Sequence, residues 1–276
     1  TKAIPRPAIF VLYSTIFILP VLLLIPFGVI FLQGWLDWLI AIISGASFVL
    51  ALWTMYISYQ QSEVSHAAPL IGAVTPFFVL VLSLFFLQEN LTLIQLIGIL
   101  VLITGSLLIS FEKSKKHIGF HTGILWGILT GLFYAISHVS AKYIYDIYGF
   151  YSGLVWTRGF IGLVGLLLLF SPEIRKYIFL KKKSTKIPFR NKVSKQIILV
   201  AVSKILAVVA IVLMQYAMAI GSASIVNALN GVQFAVLIIL VALLSKFAPN
   251  IFKEKYEKGE FMSEIIAVIV IVTGLV

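Results

Sequence analysis

The sequence predicts an all-α fold, a polytopic membrane helix bundle, and three observations carry that prediction. Of the 276 residues, 61% are hydrophobic and only 11% are charged, where a soluble domain carries about a quarter charged residues. The mean hydropathy is +1.09, so lipid rather than water is the solvent that suits this surface. The apolar residues also fall in continuous runs of helical length rather than in the alternating pattern of barrel strands. They are too numerous for a signal peptide with a single anchor.

In chain order the runs define nine spans, at 8–30, 35–58, 67–87, 92–111, 122–142, 150–170, 196–218, 222–245 and 262–276. The chain opens on Thr1 and closes at Val276 inside an apolar run, from which truncation at both ends is expected. Lys and Arg total 21 against 10 acidic residues, a formal net charge of +11. Of those 21, 18 fall in loops on one side of the nine-span topology: Lys2 and Arg6; Lys113, Lys115 and Lys116; nine between Arg175 and Lys195; and Lys246, Lys253, Lys255 and Lys258. That confinement argues against nucleic acid as a partner and makes the basic loops cytoplasmic by the positive-inside rule. The excursion 171–195, with Lys181, Lys182 and Lys183, reads as a topology signal in contact with anionic lipid. A prokaryotic plasma membrane is the expected location. The absence of cysteine removes disulfides, thiolate metal sites and cysteine nucleophiles.

Two halves of the chain lie on each other as a repeat. Arg6 and Pro20 match Arg158 and Pro172 at a shift of 152; Tyr59, Ser65 and Phe77 match Tyr216, Ser222 and Phe234 at 157; Thr104-Gly105 matches Thr273-Gly274 at 169. The first repeat is read as 1–111, holding helices 2–5 with its first helix absent before Thr1. The second is read as 112–276, holding helices 6–10 with the last cut short. Ten helices in two five-helix units follow, and an odd number per unit forces opposite orientations. Inverted repeats of this kind place the site of a secondary transporter between the halves near the midplane.

The stretch 63–110 contains small residues, then Pro76 inside a span, Glu89 after it, and Gln95, Gly98 and Gly105 in the next span. In this it resembles the EamA-like families of the drug/metabolite transporter superfamily. The resemblance implies ten helices, a central cavity and export or exchange of metabolites or drugs. The second half departs from the pattern: Gln233 stands where Pro76 stands in the first, and no Glu matches Glu89.

Candidate solute-binding residues are those whose presence in a span is costly. Arg158 lies about eight residues into its span, roughly 12 Å deep. A charge at that depth faces a cavity or a partner, and a guanidinium holds a carboxylate or phosphate bidentately. The plainer alternative is a structural bond to backbone carbonyls. Lys204 is similarly deep from the opposite side, with Val208, Ile211 and Gln215 on its face; snorkelling to the headgroups is its alternative. Tyr134, His138 and Lys142 recur every four residues as a polar stripe, in which His138 binds solute, carries a proton, or makes an interhelical bond. Beside it, Gly123, Gly127, Gly131 and Ala135 form a ridge suited to close packing. Asn227, Asn230 and Gln233, with Ser224 before them, drift around their helix and serve equally as solute ligands or interhelical glue. Pro69 and Pro76, in one span, are candidate hinges, with Thr75 placed to satisfy a freed carbonyl. Glu89 precedes a capping box at Thr92–Gln95 and reads as a helix cap.

No Asp or Glu falls deep in any span. A proton-coupled exporter of cations normally needs one, so anionic or zwitterionic solutes, moved by facilitation or exchange, fit better. The reading is a secondary transporter of small metabolites, not an enzyme, with no metal and no cofactor. Its rivals are a non-transporting scaffold or receptor and an intramembrane enzyme. The enzyme is disfavoured because His66, His117, His121 and His138 do not cluster with acids in the sequence.

Overall fold

The computed structural model describes residues 7–62, 64–112, 122–171, 174–175, 193–233, 235–237, 239–240, 266 and 268–275. The basic loops lie outside these residues apart from Arg175 and Lys195, as do Glu63, Pro172, Phe234 and Glu264; so do the side chains of Ser65, His66 and Lys195. All secondary structure among the described residues is helical. Helix α1 (Pro7–Ile16) passes through a 3₁₀ turn (Leu19–Leu24), followed by α2 (Trp35–Gln61), α3 (Val64–Leu82) and α4 (Leu93–Glu112). Then come α5 (Thr122–Leu167), α6 (Val193–Ile220), the short α7 (Ala223–Ala228) and α8, helical over 268–273. Among the described residues, five segments are long and apolar enough to cross a membrane: Pro7–Leu24, Trp35–Gln61, Ala67–Leu87, Gly123–Phe170 and Val202–Ile220.

Several boundaries differ from the sequence expectation for physical reasons. The first span is α-helical only to Ile16, because Pro20 has no N–H to give the Ile16 carbonyl. Spans 122–142 and 150–170 belong to α5, whose limbs meet at Gly149 rather than at a seven-residue loop. Gly149 has φ +74° and ψ 168°, a backbone that only glycine adopts without strain. The chain folds back there, so that Gly153 packs against the ring of Tyr145. The eighth span starts as α7 and tightens into a 3₁₀ turn at Leu229–Gly231, where Gly231 approaches Ser106 of α4.

At the Gly149 end, the 29–34 segment is tied to α5. Ile30 N donates to Ser152 Oγ (3.0 Å), Gln33 N to Tyr148 Oη (2.9 Å), and Trp156 Nε1 to Ile30 O (2.8 Å). Asp37 in the first turn of α2 accepts from the Gly34 amide (3.3 Å) and from Tyr148 Oη (2.6 Å). Val29, Leu32, Ala41, Ile144, Val155 and Trp156 form the core behind these bonds.

The glycine ridge packs as its composition predicts. A Cβ at Gly131 would lie 3.1 Å from the Thr75 nitrogen, and one at Gly127 would lie 3.1 Å from Leu70, both on α3. Helix α2 meets the second limb of α5 as closely, a Cβ at Gly45 falling 2.7 Å from the Phe160 carbonyl carbon. Hydroxyls complete these seams: Thr130 Oγ1 donates to Thr54 Oγ1 (2.9 Å), Ser58 Oγ to Gly123 O (2.8 Å) and Ser44 Oγ to Ser137 O (2.9 Å). In lipid, such close approach and hydroxyl bonding replace the hydrophobic effect as the cause of association.

Candidate functional site

The two limbs of α5 run side by side, so residues far apart in sequence face one another. The first limb carries Tyr134, His138 and Tyr145; the second carries Arg158. Helix α2 contributes Phe48, α6 contributes Gln215, and α7 contributes Asn227.

Arg158 is the centre of this group. Its guanidinium carbon sits 5.3 Å from the centroid of the Phe48 ring, a cation–π contact. Tyr134 stacks edge-on against the same Phe48 at 5.4 Å and reaches Met55 Sδ with its hydroxyl at 3.6 Å. The guanidinium interacts electrostatically with Tyr134 and His138 and reaches the Tyr145 hydroxyl. Tyr145 Oη donates its own proton to Gln215 Oε1 at 2.7 Å, so it is free to accept from arginine. Arg158 Nε is buried and has no hydrogen-bond partner. The carboxylates that the fold holds in place are engaged elsewhere: Asp37 with Tyr148, Asp146 with Lys142 and Glu89 with the start of α7. Arg158 is therefore a positive charge inside the bundle without an acidic partner among the described residues, the situation that membrane interiors penalise most.

His138 has a defined tautomer. Asn227 Nδ2 donates to Ala223 O (2.9 Å) and toward Met218 Sδ (3.2 Å), which orients the amide. Asn227 Oδ1 then faces His138 Nδ1 at 2.7 Å, so Nδ1 carries the proton. In the neutral ring Nε2 is left as an acceptor. The cluster offers a fixed cation, a phenol and an imidazole acceptor within one neighbourhood.

The structure thus brings together Tyr134, His138, Arg158 and Asn227. Lys142, on the same stripe, is turned to the Gly149 end, bonding Asp146 Oδ1 (2.7 Å) and Ala219 O (3.2 Å). Lys204 stands exposed on α6, in a stretch where every side chain from Val202 to Leu213 is exposed, whereas Gln215 and Met218 are buried. Along the drifting stripe Asn227 is buried, Asn230 half-buried and Gln233 exposed. Pro69 and Pro76 are both buried within α3, which stays helical through them. Thr75 Oγ1 donates to Ile71 O at 2.7 Å, one residue short of the Gly72 carbonyl that Pro76 deprives of its amide.

Sequence reasoning missed Tyr145, Gln215 and Phe48 as members of the group. Tyr145 lies seven residues after His138 on the same helical face, a signal that was present. Glu89 was placed on the wrong helix. The capping box at Thr92–Gln95 closes by itself, with Thr92 N donating to Gln95 Oε1 (2.9 Å) and Gln95 N to Thr92 Oγ1 (3.3 Å). Glu89 instead caps α7: Oε1 accepts from Ala223 N (2.6 Å), and Oε2 accepts from Ser222 Oγ (2.9 Å), Ser224 Oγ (2.6 Å) and Ser224 N (3.4 Å).

Comparison with known proteins gives a family match over the first part of the chain and a likeness of fold over nearly all of it. The model of the EamA-like transporter family matches residues 5–111, which hold α1–α4, Pro69, Pro76 and Glu89 and, of the Arg158 group, Phe48 alone. Among solved structures, 17 chains match. One, a protein crystal structure, aligns with a TM-score of 0.61 at 17% identity, covering 99% of this chain and 88% of its own. That likeness concerns the fold alone. No curated protein matches this chain.

Proposed function

We propose that this multi-pass membrane protein, of the drug/metabolite transporter type by the family match over its first four helices, is a secondary carrier for small anionic or zwitterionic solutes. One observation carries the reading: Arg158 is a half-buried cation whose Nε is buried and unpartnered, ringed by Tyr134, His138, Tyr145 and Phe48. An isolated buried charge costs several kcal/mol, and an arriving carboxylate or phosphate removes that cost while forming charge-assisted bonds. Arg158 anchors the negative group, and His138 Nε2 accepts from a hydroxyl or amine on the same solute. Asn227 fixes the imidazole, while Asn230 and Gln233 line the approach.

In this proposal the Gly123 end faces the cytoplasm of a prokaryotic cell, since Lys113, Lys115 and Lys116 fall in the sequence between α4 and that end of α5. The two halves are inverted repeats, 1–111 and 112–276, that rock about Pro69 and Pro76. Lys204 sits about three turns from Gln215 on one face of α6, so an inward swing of the exposed half of α6 carries its ammonium toward the Arg158 group.

The test is uptake into reconstituted vesicles, screened over amino acids, organic acids and sugar phosphates. Arg158→Met is expected to abolish uptake of the accepted solute by at least about tenfold while the melting temperature holds or rises, because an uncompensated buried charge has been removed. Uptake at wild-type rates in both Arg158→Met and Arg158→Lys would overturn the site. Solute binding without any uptake would favour a receptor.

A further inference from the structure

A carboxylate of the first half of the chain is held by the start of α7, at the Gly149 end of the molecule. Glu89 lies in the 88–92 connection between α3 and α4, immediately after a π-helical turn (Ser83–Leu87) and Gln88 in a left-handed conformation at φ 51°. A non-glycine residue in that conformation is uncommon, and π turns occur often at functional positions. This backbone directs Glu89 onto Ser222, Ala223 and Ser224, where it accepts hydrogen bonds from two backbone amides and two hydroxyls. Ser83 Oγ joins the group through Ser224 Oγ. The same carboxylate therefore clasps the tips of two helical hairpins, α3–α4 and α6–α7.

By the repeat, Ser222 corresponds to Ser65 at a shift of 157, and at that shift a lysine, Lys246, stands in the register of Glu89. The exposed stretch of α6, Val202–Leu213, runs toward the other end, while Gln215 and Met218, nearer the clasp, are buried.

We propose that Glu89 is the latch that keeps the Gly149 end closed, and that its bonds to Ser222 and Ser224 are released each time that end opens. This rests on the carrier reading above. Hydrogen bonds to an ionised acceptor are about twice as strong as neutral ones, and a group of four shared by one side chain breaks together. Neutralising the side chain then shifts the resting population toward a form open at the Gly149 end.

The chain has no cysteine, so one introduced thiol reports without background. Val226, half-buried on α7 beside Ala141, Tyr145 and Met218, lies one turn below the clasp. In a Val226→Cys protein, a membrane-impermeant maleimide is applied to the Gly149 face in intact cells and to the Gly123 face in inverted vesicles. Labelling from the Gly149 face is expected to rise about tenfold on adding Glu89→Gln, with the opposite face unchanged or slower. Ser222→Ala with Ser224→Ala should reproduce the change if Glu89→Gln fails to insert. Equal labelling ratios in all three backgrounds, or acceleration from both faces with a lowered melting temperature, would overturn the latch and leave Glu89 as a cap. Absence of uptake by the parent protein would instead sink the carrier reading, whatever the labelling shows.

Discussion

The first limb of α5 and helix α6 are both long apolar helices, yet they are held in opposite ways. The α5 limb presents Gly127 and Gly131 to α3 and Gly123 to the end of α2, and adds hydroxyl bonds to α2, so it is joined along its length. Between Val202 and Ile220, α6 has no glycine; it exposes every side chain from Val202 to Leu213 and becomes buried only at Gln215 and Met218. Lipid solvates leucine as well as protein does, so large apolar residues give a membrane helix no reason to dock, whereas small residues and hydroxyls do. The contrast marks the α2–α3–α5 seam as the closely joined part of this form and the Val202–Leu213 stretch of α6 as the part left exposed among the described residues.

The largest effect is expected at the seam. Gly131→Leu would drive a side chain into Val74 and the Thr75 backbone, and overpacking of that kind costs about 1–3 kcal/mol or more. Unfolding in mixed detergent micelles should show a lost or strongly weakened transition. A normal melting curve would mean that the seam adjusts and is not fixed. An intermediate effect is expected where α5 meets α7. Asn227→Ala leaves the His138 Nδ1 proton without its acceptor, at a cost of roughly 1–2 kcal/mol, and solute affinity should fall with it. Unchanged affinity together with lowered stability would make Asn227 glue only. The smallest effect belongs to α6: Ala207→Leu, on an exposed face, should change stability by no more than about 0.5 kcal/mol. A larger loss there would show that this stretch is docked and would erase the contrast.

Much of the fold was legible because membrane spans are long and their composition is extreme. The third span, 67–87, appears as α3 with its π turn, and 92–111 as α4. Boundaries slipped where one residue overrides the pattern. Pro20 shortens the first helix, and Gly149 compresses an expected loop into a single residue. Lys142 and Asp146, paired one turn apart, let the first limb of α5 continue to Tyr148. In the site, Arg158, His138 and Asn227 stood out because polar groups inside spans are costly. Tyr145 and Gln215 did not, since their bond joins positions 70 residues apart and neither is unusual in its own helix. The partner of Glu89 was hidden for the same reason: a local capping motif at Thr92 offered a nearer explanation than Ser222, 133 residues away.

The orphaned Nε of Arg158 changes how affinity is composed at that point. A hydrogen bond between ligand and protein usually nets only about 1 kcal/mol, because each partner first surrenders its water. Nε is already shielded from bulk solvent in the ligand-free fold, so its dehydration was settled during folding. At the proposed anion site an incoming oxygen would pay for its own desolvation alone, and small acids with few atoms would be held more firmly than their contact area suggests.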